Sequence, residues 1–297
     1  MGYINIFVSQ KAHLSVKNSQ LYIKNEEKQQ DYPLEDINSV MIENLSSMVS
    51  TYTLSKIAEQ GILLFVCNQS HLPSGVMLPF CEHYQTLSVF EQQAELSKPL
   101  KKQLWQEIVK NKILNQNEVL NICGGNDVLK KLAEGVLSGD SGNNEAKASL
   151  VYFKELFGKE FARRTENAIN TFLNYGYSII RGFVARSIAV HGLQPFLGIN
   201  HCNQFNSFNL ADDLMEVFRP IVDLYVKIYL SDEKEINSQI KMDLFNIVNF
   251  DVDIDGNKQT VANAIDIFVE NFVKSIKEQC NKIKQVKIFG LEMHKYE

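Results

Sequence analysis

From Tyr3 to about Phe80, apolar and polar residues alternate in short runs. Ile4, Ile6 and Val8 form one alternating set; Leu14 and Val16 lead through Asn18-Ser19 to Leu21 and Ile23. A period of two predicts strands, and the Asn-Ser pair between two such runs predicts a hairpin. Ile37, Val40 and Ile42 mark another strand, Ser50 to Gln60 reads as a helix stopped by Gly61, and Leu63-Leu64-Phe65-Val66 reads as a buried strand. Pro73, Gly75 and Pro79 then interrupt the pattern, and from about His83 the spacing becomes helical, through Leu104-Trp105, Ile108 and Ile113 and then Leu129, Leu132 and Val136. The expected fold class is α+β: a β-rich N-terminal domain over residues 1–82, then a larger all-α C-terminal domain over residues 83–297.

Within the helical part, Asn143 or Asn144 is placed to cap a helix beginning at Glu145, and Thr165 with Glu166 behind it to start another. Asn209 with Asp212 three residues on has the form of a capping box. His191 before Gly192 has the position of a helix end, where a cation suits the dipole, and Pro220 suggests a bend. Asp255-Gly256-Asn257 is a hairpin-turn signal inside Val252 to Val261, and Ile265, Ile267, Phe268, Phe272 and Ile276 outline a final amphipathic helix. The chain contains no internal repeat and no low-complexity tract.

With 297 residues, 45% of them apolar, the chain can bury a sizeable core. Its 30 basic and 35 acidic residues, net −5, argue against a protein that coats nucleic acid over its whole surface, though a local basic face is compatible. Cys67, Cys81, Cys123, Cys202 and Cys280 are widely spaced and include no CxxC pair. Neither a disulfide framework nor a four-cysteine zinc site is therefore expected, and reduced thiols suit a cytoplasmic location. The N-terminus lacks the signature of a secretory signal, and no stretch reaches the ~20 apolar residues of a membrane span.

Glu145, His201 and Glu216 stand at expected helix starts or at a loop joining helices. Two carboxylates and an imidazole leave coordination positions for water and phosphate oxygen, which suits Mg²⁺ or Mn²⁺ better than closed tetrahedral zinc. Alone these residues say little, because an acid at a helix N-terminus ordinarily serves the macrodipole and a lone histidine is ordinarily structural.

The surrounding wording changes their weight. Asn167-Ala168-Ile169-Asn170, Leu173-Asn174-Tyr175-Gly176-Tyr177, Gly192-Leu193-Gln194-Pro195-Phe196-Leu197-Gly198-Ile199-Asn200-His201 and Asp213-Leu214-Met215-Glu216-Val217-Phe218-Arg219-Pro220 follow in order. This run resembles the CRISPR adaptation integrase family, and the likeness extends over nearly the whole chain, including His71-Leu72-Pro73-Ser74-Gly75 after the Leu63 to Val66 strand. The resemblance implies an enzyme of antiviral defence, a metal-dependent DNA endonuclease and integrase that acquires spacers, its metal ligands mapping onto Glu145, His201 and Glu216. Many relatives have Asp at the third position; Glu216, with the Gly-Ile-Asn-His wording, looks most like the type II branch. It further implies a homodimer formed with help from the β-rich domain, and a small adaptation partner protein completing a heterohexamer. The expected DNA partners are double-stranded fragments and the CRISPR leader-repeat, with the type II effector nuclease and an accessory protein as further candidates.

Asp213, one turn before Glu216, is read as orienting a ligand or capping the helix ahead of binding metal directly. Lys147, Arg181 and Arg186 are expected to meet DNA phosphates, and Tyr152 to stack on an unpaired nucleotide, while Tyr175 and Tyr177 suit the core. Charge runs and helically spaced aromatics also arise as solvated faces and core. A branched-DNA nuclease and a catalytically silent DNA-binding scaffold remain alternative readings.

Overall fold

A computed structural model describes residues 2–79 and 86–295. Cys81, His83 and the expected domain boundary between residues 82 and 83 lie outside the described residues. Within them the chain divides into two compact units, one of residues 2–79 with Asn237–Asn246 and one of residues 86–236 with 247–295.

The first unit begins with β1 (Ile4–Val8), β2 (His13–Lys17), β3 (Gln20–Lys24), β4 (Gln29–Pro33), β5 (Ile37–Ile42) and β6 (Met48–Val49). Helix α1 (Thr51–Glu59), β7 (Leu63–Cys67) and β8 (Pro73–Met77) follow. One sheet has the order β1-β5-β7-β8, parallel except for β8, and a second has the order β4-β3-β2-β6. Leu14, Leu21, Val40, Ile57 and Leu64 are buried in one apolar cluster. The β2-β3 hairpin turns where expected: Asn18 and Ser19 both have positive φ, 49° and 58°, which the mirror-image turns of hairpins require. The Ser50 side chain accepts from the Thr53 amide and so fixes the start of α1.

Asn237–Asn246 belongs to this unit although it comes late in the chain. Its helix, Ser238–Phe245, sets the Phe245 ring at a tilt to Phe7 and edge-on to Phe65, at centroid distances of 6.0 and 5.9 Å. Lys241 Nζ meets Glu43 Oε1 at 2.8 Å, both side chains buried, and Ser238 Oγ donates to Glu43 Oε2. No local pattern announces such a return, since the contacts span about 200 positions of sequence.

The second unit contains α2 (Thr86–Ala94), α3 (Lys98–Ile122), α4 (Lys130–Glu134), α5 (Asn144–Phe157), α6 (Ala168–Val190), α7 (Asn209–Leu214) and α8 (Arg219–Tyr229). The Ser238–Phe245 helix is α9 in chain order, and α10 (Val261–Lys277) returns to the second unit. A three-stranded antiparallel sheet, order β10-β9-β11, joins β9 (Asp251–Ile254), β10 (Asn257–Thr260) and β11 (Val286–Lys287). The unit is thus mostly rather than wholly helical. The β9-β10 turn is made by Asp255 and Gly256 with φ of 58° and 79°.

Several helix starts differ from the sequence expectation. Helix α5 is capped by Asp140, whose two carboxylate oxygens accept from the Asn144 and Glu145 amides, while Asn143 sits in the left-handed region and its side chain makes no capping hydrogen bond. Helix α6 starts after Asn167, which accepts from Asn170, rather than at Thr165. Pro220 lies in the first turn of α8, where its missing amide donor is harmless, so it initiates a helix rather than bending one. Gly176 lets α6 approach α8: a Cβ there would lie 2.4 Å from Val222 Cγ1.

Candidate active site

Helix α3 carries an unusual row of buried polar residues, including Asn111, Lys112 and Asn115. A buried amide or ammonium is tolerated only with partners, and each has them. Asn111 exchanges two hydrogen bonds with the Val286 backbone, acting as a rung beside β11. Asn115 donates to the Val217 carbonyl at 2.9 Å, which pins the one-turn helix Met215–Val217 that carries Glu216.

Lys112 lies between them and joins two of the expected site residues. Its Nζ is 2.7 Å from Glu145 Oε1 and 2.5 Å from Glu216 Oε2. Arg219 Nη2 approaches the other Glu216 oxygen at 3.1 Å, and its guanidinium lies over the Tyr177 ring, 4.9 Å from the centroid. Burial alone would raise the Glu216 pKa, but Arg219 and Lys112 outweigh it and hold the carboxyl below its ordinary range. Burial likewise opposes the Lys112 charge, and Glu216 and Glu145 reverse that, keeping the ammonium above the usual lysine value. Glu216 Oε2 is buried against the Lys112 ammonium, which holds it as a close ion pair.

His201 is set by the carboxylate of Asp213. That carboxylate accepts from the backbone amides of Ile199, Asn200 and His201, and Asp213 Oδ1 is 2.6 Å from His201 Nδ1. An ionised carboxylate only accepts, so Nδ1 carries the proton and Nε2 keeps its lone pair in the neutral ring. The same hydrogen bond raises the His201 pKa, against the effect of burial. Trp105 of α3 stands edge-on to the imidazole at 5.9 Å. Gly198 is required by this loop: a Cβ would lie 2.3 Å from the His201 carbonyl oxygen and 2.8 Å from Asp213 Oδ2.

The fold therefore gathers Glu145 and Glu216 on one cation and holds His201 through Asp213. Among the described residues, no three His, Cys, Asp or Glu side chains form a ready-made metal cage. The donor set still suits a hard divalent cation: two carboxylates already surround a positive charge.

The DNA-contact residues fare differently. Arg186 is 3% exposed and pairs with Asp266 at 3.3 Å, so it is a core ion pair and not a phosphate contact. Tyr152 is fully buried and donates to Asp223, which excludes it as a stacking surface. Both errors arise because the polar group of each is matched by a partner more than seventy residues away. Arg181 holds Asp212 through Nε at 2.6 Å and Nη2 at 3.0 Å and also donates to Asn206, bracing the segment after His201. Lys147 is exposed near the start of α5 and donates to the Gly142 carbonyl.

Lys112, Trp105, Asp140, Arg219 and Asp223 were missed in the sequence. The available signal was a polar row interrupting the apolar stripe of α3. Asp223 accepts from Tyr152 Oη at 3.0 Å and from Tyr177 Oη, and burial pushes its carboxyl up to about 6 despite those hydrogen bonds.

The family model described as CRISPR associated protein Cas1 matches residues 6–243. The CRISPR-associated endonuclease Cas1 of Neisseria meningitidis serogroup C (strain 8013) is 37% identical over 306 aligned residues, covering 100% of both chains. Among solved structures, a casposase bound to integration product superposes with a TM-score of 0.75 at 18% identity, covering 100% of this chain and 96% of that one. A chain of a Cas6-RT-Cas1–Cas2 complex gives 0.70 at 16% identity, covering 99% of this chain and 36% of that one. At those identities the two structures attest the fold, whereas the family match and the full-length relative attest descent: the chain belongs to the Cas1 family of CRISPR-associated proteins.

Proposed function

We propose that this protein is a metal-dependent DNA endonuclease and integrase that inserts short foreign fragments into a CRISPR array. The observation that carries the reading is the convergence of Glu145 and Glu216 on one cation, in a chain 37% identical along its length to a Cas1 endonuclease. The casposase neighbour, bound to its integration product, supports strand joining as the reaction, by analogy of fold.

Glu145 and Glu216 supply negative charge and His201 Nε2 a neutral nitrogen, the set that would hold Mg²⁺ or Mn²⁺. Such an ion supplies Lewis acidity, lowering the pKa of an attacking 3′-hydroxyl and stabilising charge on the phosphodiester. Asp213 keeps the imidazole in one tautomer and orientation. Arg219 stays ionised against Glu216, burial opposing its charge and Glu216 outweighing it. No residue of the chain needs to form a covalent bond to DNA.

The protein works as a homodimer through its β-rich unit, whose edge strands suit pairing. A small adaptation partner completes a heterohexamer, a reading favoured by the Cas1–Cas2 assembly among the structural neighbours. The Glu at position 216 favours the type II branch, with its effector nuclease and accessory protein as further partners. The work is cytoplasmic, and among the described residues no helix is long and apolar enough to cross a membrane.

The test combines the protein, its small partner, labelled fragments and a plasmid bearing leader and repeat, with Mg²⁺ or Mn²⁺. Branched joined products that vanish with chelator are expected. Cutting without joining would favour the branched-DNA nuclease, and DNA binding without either reaction would favour the scaffold.

A further inference from the structure

We infer that Lys112 is a tethered counter-cation of the candidate metal site, holding Glu145 and Glu216 together in the metal-free protein and competing with the divalent ion for them. The inference rests on the metal-site reading above and adds a residue that sets how tightly the ion binds.

Cations of the chain itself already meet both carboxylates. Lys112 and Arg219 face Glu145 and Glu216, two positive groups against two negative ones. A divalent ion entering beside an unmoved ammonium would leave an excess of positive charge in a buried region, where like charges repel more strongly than in water. Removing either cation relieves that excess, and Lys112 is the one in contact with both carboxylates.

The side chain is suited to yielding. An ammonium on a four-carbon stem swings about several bonds, whereas Arg219 is a planar fork seated on the Tyr177 ring. The α3 backbone does not have to move, since Asn111 and Asn115 tie it to Val286 and Val217 on either side of Lys112. The contacts that the ammonium makes with Glu145 Oε1 and Glu216 Oε2 are ones that a divalent ion on the same two oxygens would replace. Metal loading is then an exchange of one cation for another, and its threshold lies higher than the carboxylates alone would set.

The experiment is titration of the full-length protein with Mn²⁺, free ion being read by electron paramagnetic resonance, alongside melting curves with and without Mn²⁺. Lys112→Met removes the charge at nearly constant length; Lys112→Arg keeps it. Lys112→Met is expected to bind Mn²⁺ roughly tenfold more tightly or better, to melt lower than the parent without metal, and to recover on adding it. Lys112→Arg, which keeps the charge, is expected to show no such gain in affinity. Parent and Lys112→Met binding Mn²⁺ equally, or the variant binding more weakly while folded at saturating Mn²⁺, overturns the role of Lys112 and leaves the metal site intact. Absence in both proteins of a Mn²⁺ site that Glu145→Gln abolishes overturns the metal reading and this inference with it. Should Lys112→Met fail to fold without metal, purification in Mn²⁺ followed by competition with a chelator of known affinity reads the same comparison.

Discussion

Among the described residues two buried lysines meet carboxylates, one in each unit, and their surroundings differ. In the first unit Lys241 faces Glu43, both side chains under a tenth exposed, and Ser238 takes the second carboxylate oxygen. That pair is closed and self-sufficient, and it anchors a segment returning from far along the chain. In the second unit Lys112 is shared by two carboxylates, one of which, Glu145, keeps 31% of its side chain exposed, while Glu216 also meets Arg219. A closed pair secures a fold, whereas a cation shared by two carboxylates, one of them partly exposed, lies where we propose that a divalent ion enters.

The largest effects should separate the two clusters by kind. Glu145→Ala and His201→Ala are expected to lower strand joining about a hundredfold or more while leaving the melting temperature nearly unchanged, because both side chains are partly exposed. Glu216 behaves otherwise: an alanine there strands two cations, so Glu216→Gln is the fairer test of chemistry, and Glu216→Asp should keep some activity with Mn²⁺. Normal joining by all of Glu145→Ala, His201→Ala and Glu216→Gln would remove the metal site from the mechanism.

Glu43→Ala should do the reverse, destabilising by about 3–5 kcal/mol because Lys241 is left buried and unpaired. Glu43→Met with Lys241→Met should recover most of that loss in urea melts, as buried ion pairs replaced by apolar groups often do. If the double variant unfolds as readily as Glu43→Ala, the pair contributes more than mutual neutralisation.

Asp223 sharpens the comparison, being a buried acid held by tyrosine hydroxyls rather than by a lysine. Its folded pKa, about 6, lies above the ordinary aspartate value of 3.8, so the folded state favours the protonated form. The stability this contributes is present below about pH 4 and is lost as pH rises towards 6. Asp223→Asn should flatten that portion of the stability curve relative to the parent. An unchanged slope would assign the carboxyl an ordinary titration.

The smallest effect belongs to an exposed cation. Lys147→Ala should weaken DNA binding similarly for unrelated sequences and reduce the salt slope by about 1, with no change in melting. Arg186→Ala should instead lower stability, since it leaves Asp266 unpaired in the core. A salt slope altered by Arg186→Ala in a fully folded protein would restore it to the DNA surface.

What the sequence alone determined is governed by neighbours along the chain. The hairpins at Asn18-Ser19 and Asp255-Gly256 and the cap at Ser50 follow from local backbone preference, and the change of period separates a β-rich region from a helical one. The ordered motifs from Asn167 to Pro220 carried the family, and the resemblance made Glu145, His201 and Glu216 candidates, although nothing local distinguished the two acids from ordinary helix-start residues. Tertiary structure alone decided which charges are paired and where. Arg186 and Tyr152 look like surface groups until Asp266 and Asp223 arrive from distant helices, and Lys112 looks like a solvated lysine until α5 and the Met215–Val217 turn bring two carboxylates to it. A side chain's charge is written in the sequence, but its partner and its exposure are properties of packing, and these decide whether the charge secures the core or stays open to a ligand.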